Sequence, residues 1–202
     1  MPQASPLFNE MTKRVRKLKS KYMARQVKKE MLDPINYNFD ILNTAAYQLL
    51  VHAEIEEYIE AKALQVLKEI EVDVKRNGYG TAYFKNLLAI ANELDEPLSI
   101  TAPYDESEFK TVVERLIKKA VKQVSDNNGI KSNSFSKLAL FSGYDRGGID
   151  PFLLSSITAY GKRRGSVAHK GPRHVTTFLS PSSEVKDAED ILMLLRMHYY
   201  NF

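Results

Sequence analysis

YNFDILNTAAYQLLVHAEIEEYIEAKALQVLKEIEVDVKR, residues 37–76, runs forty residues without a glycine or a proline. Apolar side chains recur along it in three- and four-residue steps, among them Phe39, Leu42, Ala46, Leu50, Ala53, Tyr58, Leu64, Leu67 and Ile70. Those steps put them on one helical face. The segment therefore predicts a single long helix, roughly 60 Å if unbroken at 1.5 Å per residue. Asn77-Gly78-Tyr79-Gly80 is its stop, because glycine takes the left-handed conformation that ends helices.

Outward from this helix the same period repeats. Upstream, Asp33-Pro34 ends a first helix over 7–30, whose stripe reads Met11, Val15, Leu18, Tyr22 and Gln26; proline removes a donor and restrains its predecessor. Downstream, a helix is expected over 81–94. Another runs from an Asp105 or Ser107 cap to about Val124, and a short one covers Ser134–Phe141. Asp150-Pro151 opens the next helix, which reaches about Ala168 before Gly171-Pro172, and Ser180-Pro181 opens the last. Aspartate or serine before proline is the signature of a helix start. Only Leu98–Thr101 and Val175–Leu179 look extended. The fold class is all-α: a helical bundle with a long second helix and a basic N-terminal helix, divided into residues 1–32 as a basic arm and 33–202 as the helical domain.

Composition narrows the function. The 202 residues are 44% hydrophobic and 27% charged, the balance of a globular chain rather than a disordered one. With no cysteine, disulfides, thiolate zinc sites, iron–sulfur clusters and cysteine nucleophiles are excluded, and a cytoplasmic setting is expected. No stretch reaches the length of apolar chain that spans a bilayer, and no apolar segment follows the N-terminal basic residues, so neither a membrane partner nor a secretory signal is expected. Neither a phosphate-cradling G-x-x-x-x-G-K-[ST] nor an H-E-x-x-H occurs. His52 with Glu54 is a weak metal pair, and no metal or other cofactor is expected.

Charge is uneven. Residues 1–30 carry nine Lys/Arg against Glu10 and Glu30, a net +7; the remaining 172 residues carry 20 basic and 23 acidic side chains, a net −3. Such a helix is either a solvated cationic face or a handle for a polyanion. A second cluster, Lys162, Arg163, Arg164, Lys170 and Arg173 with His169 and His174, has Asp150 as the only acid between residues 150 and 180.

Within that cluster Arg164 falls where the stripe Leu153, Leu154, Ile157, Tyr160, Gly161 asks for an apolar residue, with Ala168 next in the series. A guanidinium on a buried stripe needs an anion or a wet cleft. Gly161 and Gly165 beside it allow another backbone to approach. Five residues on, His169 is the side chain that exchanges protons near neutrality, and arginine is the one that clamps phosphate. Together they suit metal-independent cleavage of a phosphodiester. Five residues turn a helix through 500°, however, which leaves the two side chains about 140° apart. Either the helix distorts at Gly165 or a second copy brings an Arg and a His together. The bland alternative is a structural Arg164 paired with an acid and a His169 favoured only by the helix dipole.

Arg164-Gly165-Ser166-Val167-Ala168-His169 resembles the R-x4–6-H motif of the HEPN superfamily, and residues 42–60, with Glu56-Glu57-Tyr58 near their end, are similar to the corresponding helix in the RiboL-PSP and toxin-type branch. The resemblance spans roughly residues 38–200. It implies a homodimer with a composite cleft in which Arg164 and His169 are catalytic. It also implies an RNA substrate, a toxin or defence setting and an antitoxin protein as a possible partner. In that cleft Lys162, Arg163, Ser166 and Lys170 would bind substrate and Glu56 would orient Arg164. Gly165 departs from the polar residue usual after the motif arginine; Ser166 is the residue placed to compensate. Because the superfamily includes non-catalytic members, the alternative is a dimeric module that binds nucleotide, RNA or a partner protein.

Overall fold

The computed structural model describes residues 4–96, 98, 105–172, 175 and 178–200. Among them every regular element is helical: α1 Pro6–Leu18, α2 Ala24–Leu32, α3 Ile41–Asn77, α4 Ala82–Glu93, α5 Glu106–Ser125, α6 Ser132–Phe141, α7 Pro151–Lys170 and α8 Pro181–Tyr200. The protein is all-α. Most of the two stretches expected to be extended, residues 99–101 and 176–177, lies outside the described residues; Leu98, Val175, Phe178 and Leu179 are not in a strand.

The helices divide into two compact units. The first takes 1–58, 129–132 and 150–202; the second takes 59–128 and 133–149. The division falls inside α3, between Tyr58 and Ile59. The N-terminal basic helix belongs to the first unit by its packing: Phe8, Met11, Val15, Met23 and Gln26 are buried.

One turn explains which of its residues go inward. Lys19–Met23 between α1 and α2 is π-helical, which inserts one residue into the turn. The buried series therefore passes from Val15 to Met23 and Gln26, and the expected Leu18 and Tyr22 are only half-buried. Gln26 ties α2 to the start of α3: its amide donates to Thr44 Oγ1 at 3.2 Å, and its carbonyl accepts the Asp40 N–H at 3.0 Å. Asp40 in turn caps α3, accepting from Asn43 N–H at 3.0 Å. Helix α3 thus starts four residues later than the periodicity predicts.

Aromatic rings complete the core of this unit. Phe8 meets Tyr58 edge-on at 5.4 Å and Tyr200 at 5.5 Å, and Tyr58 meets Tyr199 at 5.6 Å. The Ser5 and Tyr200 hydroxyls are 2.6 Å apart, and the Tyr58 and Tyr200 hydroxyls 3.1 Å apart. The start of α8 is capped from α2, where the Glu30 carboxylate accepts both the N–H and the hydroxyl of Ser182 at 2.8 Å. Acid at a helix N-terminus satisfies donors that the helix itself leaves free.

The second unit is a conventional apolar core: Val66, Leu67, Ile70 and Val74 of α3 with Phe84, Leu87 and Ile90 of α4, Val113, Leu116 and Ala120 of α5, and Phe135 and Leu138 of α6. Asp105 and Thr81 cap α5 and α4 as local sequence suggests.

Candidate functional site

Helix α7 begins where Asp150 accepts from Phe152 N–H at 2.8 Å, with Pro151 in the first turn. It ends at Gly171, whose φ of 74° is the left-handed conformation glycine permits. Between them the helix is regular through Gly165, so the local distortion that could have joined Arg164 to His169 does not occur. Its buried residues are Leu153, Ile157, Tyr160, Gly161 and Val167. The inward series therefore ends on Val167, and Ala168, expected to follow Arg164, is exposed.

The two adjacent arginines have different surroundings. Arg163 is held by the protein: its Nη2 donates to Asp187 at 2.5 Å, its Nε lies 3.9 Å from Glu184, and its guanidinium sits over the Tyr160 ring at 5.5 Å. It was expected on the substrate path; the structure places it in the fold's own polar network. Arg164 is half-buried and makes no ion pair among the described residues; its Nε, like that of Arg163, is out of water with no hydrogen-bond partner.

The charge of Arg164 acts on Glu56 of α3. Burial pushes that carboxyl up, but contact with His52, the Gly129 N–H and the charges of His52 and Arg164 outweigh it and hold it below the usual carboxylate value. His52 Nδ1 is 3.4 Å from Glu56, and the His52 ring, wholly buried, lies parallel to Tyr160 at 6.4 Å. Thus His52 faces Glu56, one turn along, and not Glu54, whose carboxylate takes Arg14. A Cβ on Gly161 would lie 3.4 Å from Lys131 Cγ and 3.8 Å from His52 Nε2, so close approach is realised there. At Gly165 nothing lies within 4 Å.

Deeper in the unit is a carboxylate that the sequence reading missed. Glu184 is fully buried, accepts the Leu179 N–H at 3.1 Å and lies 3.5 Å from the Gln48 amide. Burial pushes its pKa up; the Leu179 N–H and Arg163 counter this only in part, and Asp187 adds to the rise. The His52–Glu56 spacing of four residues was a readable signal for one half of this network. Nothing local marked Glu184, because its partners lie up to 136 positions away.

The remaining site candidates are on the surface. Lys162, His169 and Lys170 are exposed. Ser166 donates to the Lys162 carbonyl at 3.2 Å, so its hydroxyl is engaged within α7. Arg173 and His174 lie outside the described residues. On the basic helix, Arg14 pairs with Glu54 and Glu57 and Lys19 with Glu189 at 2.7 Å. Arg16, Lys17, Lys21, Arg25, Lys28 and Lys29 are exposed and form no ion pair among the described residues. No described helix is long and apolar enough to cross a membrane.

Set against protein-family models, curated proteins and solved structures, the chain matches none.

Proposed function

We propose that the protein is a metal-independent endoribonuclease of HEPN type, acting as a homodimer in a toxin or defence role and restrained by an antitoxin. One observation carries this reading: Arg164, half-buried on the inward side of α7, makes no ion pair among the described residues, while its neighbour Arg163 takes the acids of the fold. A guanidinium left short of partners in a partly dry position is suited to an anion that arrives from outside. His169, in the last turn of the same regular helix, cannot reach the same point from its own chain, so the pair is assembled from two copies.

In this reading Arg164 grips a non-bridging oxygen of the scissile phosphate and stabilises the charge on pentacoordinate phosphorus. One His169 takes the proton of the attacking 2′-hydroxyl. The P–O5′ bond breaks, and the leaving oxygen collects a proton from the other imidazole or from water. The products are a 2′,3′-cyclic phosphate and a 5′-hydroxyl. Glu56, kept ionised, orients Arg164. Lys162, Lys170 and the free cations of the basic helix follow the backbone, so binding weakens as salt rises.

The test is cleavage of single-stranded RNA in EDTA. Wild-type protein should give cyclic phosphate ends, and Arg164→Ala and His169→Ala should abolish them. Intact RNA at high protein concentration, with binding retained, would establish the non-catalytic module instead, a reading to which Gly165 and the internally engaged Ser166 lend support.

A further inference from the structure

At the end of α2 three large apolar side chains stand in water. Met31 and Leu32 of the last turn and Ile35 just beyond it are 76%, 77% and 89% exposed. The tip that carries them is held in place. Asp33 Oδ1 accepts the N–H of Ile35 at 3.3 Å and of Asn36 at 3.0 Å, and Pro34 fixes its own φ. Behind the tip, Glu30 anchors α2 to Ser182 of α8 and Gln26 anchors it to Thr44 of α3. Exposed apolar groups gathered on an anchored turn mark a contact surface.

The free charge beside the tip is of one sign. Arg25, Lys28, Lys29 and Leu32 follow one another in three- and four-residue steps, so they share the outward face of α2 while Gln26 turns inward. The three cations form no ion pair among the described residues, and neither does Lys21 one turn upstream. The acids at hand are already engaged, Glu30 by Ser182 and Asp33 by its own turn.

We propose that this tip docks on an anionic lipid bilayer: Met31, Leu32 and Ile35 enter the headgroup layer, and Arg25, Lys28 and Lys29 meet its phosphates. Two features favour a bilayer over an acidic protein. Side chains this exposed project and line no groove for a partner's residue to fill, and a fluid surface needs none. A few penetrating apolar groups beside a polybasic face are also the combination that holds a peripheral protein on anionic lipid, where one signal alone binds weakly. The contact lies on the bilayer and crosses nothing, so the length that excludes a spanning helix leaves it open. It stands independently of the Arg164 reading.

Sedimentation of the full chain with vesicles at physiological salt tests it. Mixed phosphatidylcholine and phosphatidylglycerol vesicles should carry the protein down, and pure phosphatidylcholine vesicles should not. Met31→Ser/Leu32→Ser/Ile35→Ser should weaken partitioning by about tenfold or more, the factor that burying one apolar side chain is worth. Its urea midpoint should hold, because all three side chains are exposed. Lys28→Gln/Lys29→Gln should weaken partitioning by about fivefold for each charge removed. The chain has no tryptophan, so Leu32→Trp is a lone reporter whose emission should shift to the blue on the anionic vesicles. Absence of sedimentation with anionic vesicles overturns the proposal. So does equal binding by the triple-serine variant, or an unshifted emission from vesicle-bound Leu32→Trp protein; either would leave a merely cationic face, suited to RNA or an acidic protein.

Discussion

Arg163 Nη2 donates to Asp187 across 2.5 Å, while Arg164, one residue on, makes no ion pair among the described residues; the Nε of each is buried without a hydrogen-bond partner. Adjacent positions on a helix differ by 100°, and that rotation carries Arg163 and not Arg164 to Asp187. Tyr160, whose ring lies under Arg163 and whose hydroxyl donates to the Gln48 carbonyl at 3.5 Å, fixes the rotation of α7 that makes the difference.

The two arginines should therefore fail differently. Arg163→Ala strips Glu184 and Asp187 of their cation and should cost about 2–4 kcal/mol in urea unfolding. Arg164→Ala removes only a minor charge contribution to Glu56 and no ion pair, so it should change stability by less than about 1 kcal/mol and still abolish RNA cleavage. Equal unfolding midpoints for the two variants would show that the division of roles is wrong.

Much of this architecture was legible locally. Asp150-Pro151, Ser180-Pro181, Asp105 and Gly171 mark helix ends because caps act within one turn, and the stripes of α5 and α8 are amphipathic in the ordinary way. The first half of α3 was not. Beside Ala45, Tyr47, Val51 and Ile55 it buries Thr44, Gln48 and His52, and it exposes Leu42, Leu50 and Ala53, which a hydrophobic reading would place inside. The polar face is stable there because distant residues satisfy it: Glu184 beside Gln48, Tyr160 against His52, Gln26 on Thr44. Periodicity sees hydrophobicity and not partners. The π turn at Lys19–Met23 was hidden for a similar reason, since one inserted residue leaves the local pattern helical and only the phase betrays it.

Glu184 predicts a particular pH response. Its folded pKa is raised above the ordinary 4.5, so the native state holds a proton that the unfolded state has released. Stability then falls as pH rises from about the ordinary value through the raised one, and levels off beyond it. Glu184→Gln cannot ionise and should gain on the wild type over that interval. Unfolding free energies measured by urea from pH 4 to pH 8 should show the difference growing and then holding constant; a difference that shrinks with pH would reverse the sign assigned to this carboxyl.

Removing the basic helix should do more than weaken binding to polyanions. Phe8, Met11, Val15 and Met23 are each at most 5% exposed. At about 1.5–3 kcal/mol for each buried side chain, losing them removes roughly 6–12 kcal/mol, comparable to the whole stability of a domain. Deletion of residues 1–32 is therefore expected to abolish cooperative thermal unfolding of the first unit, read by tyrosine near-UV circular dichroism. A truncated chain that melts cooperatively at the wild-type temperature would restore the view of this segment as a detachable arm.

If the reacting Arg164 and His169 come from different copies, two dead variants should rescue each other. Arg164→Ala homodimers lack both phosphate clamps, and His169→Ala homodimers lack both imidazoles. Mixed in equal amounts and allowed to exchange, about half the dimers are heterodimers, and each holds one intact arginine on one chain and one intact histidine on the other. A cleft that needs one arginine and one histidine in trans regains cleavage in those heterodimers alone; a cleft that needs both residues from one chain regains none. The regular course of α7 through Gly165, which keeps the two side chains of one copy about 140° apart, favours the first outcome. Cleavage of a fluorescent single-stranded RNA by the mixture, measured against each variant alone, decides between them. Failure to recover activity after exchange, demonstrated by mass-tagged subunits, would remove the composite cleft.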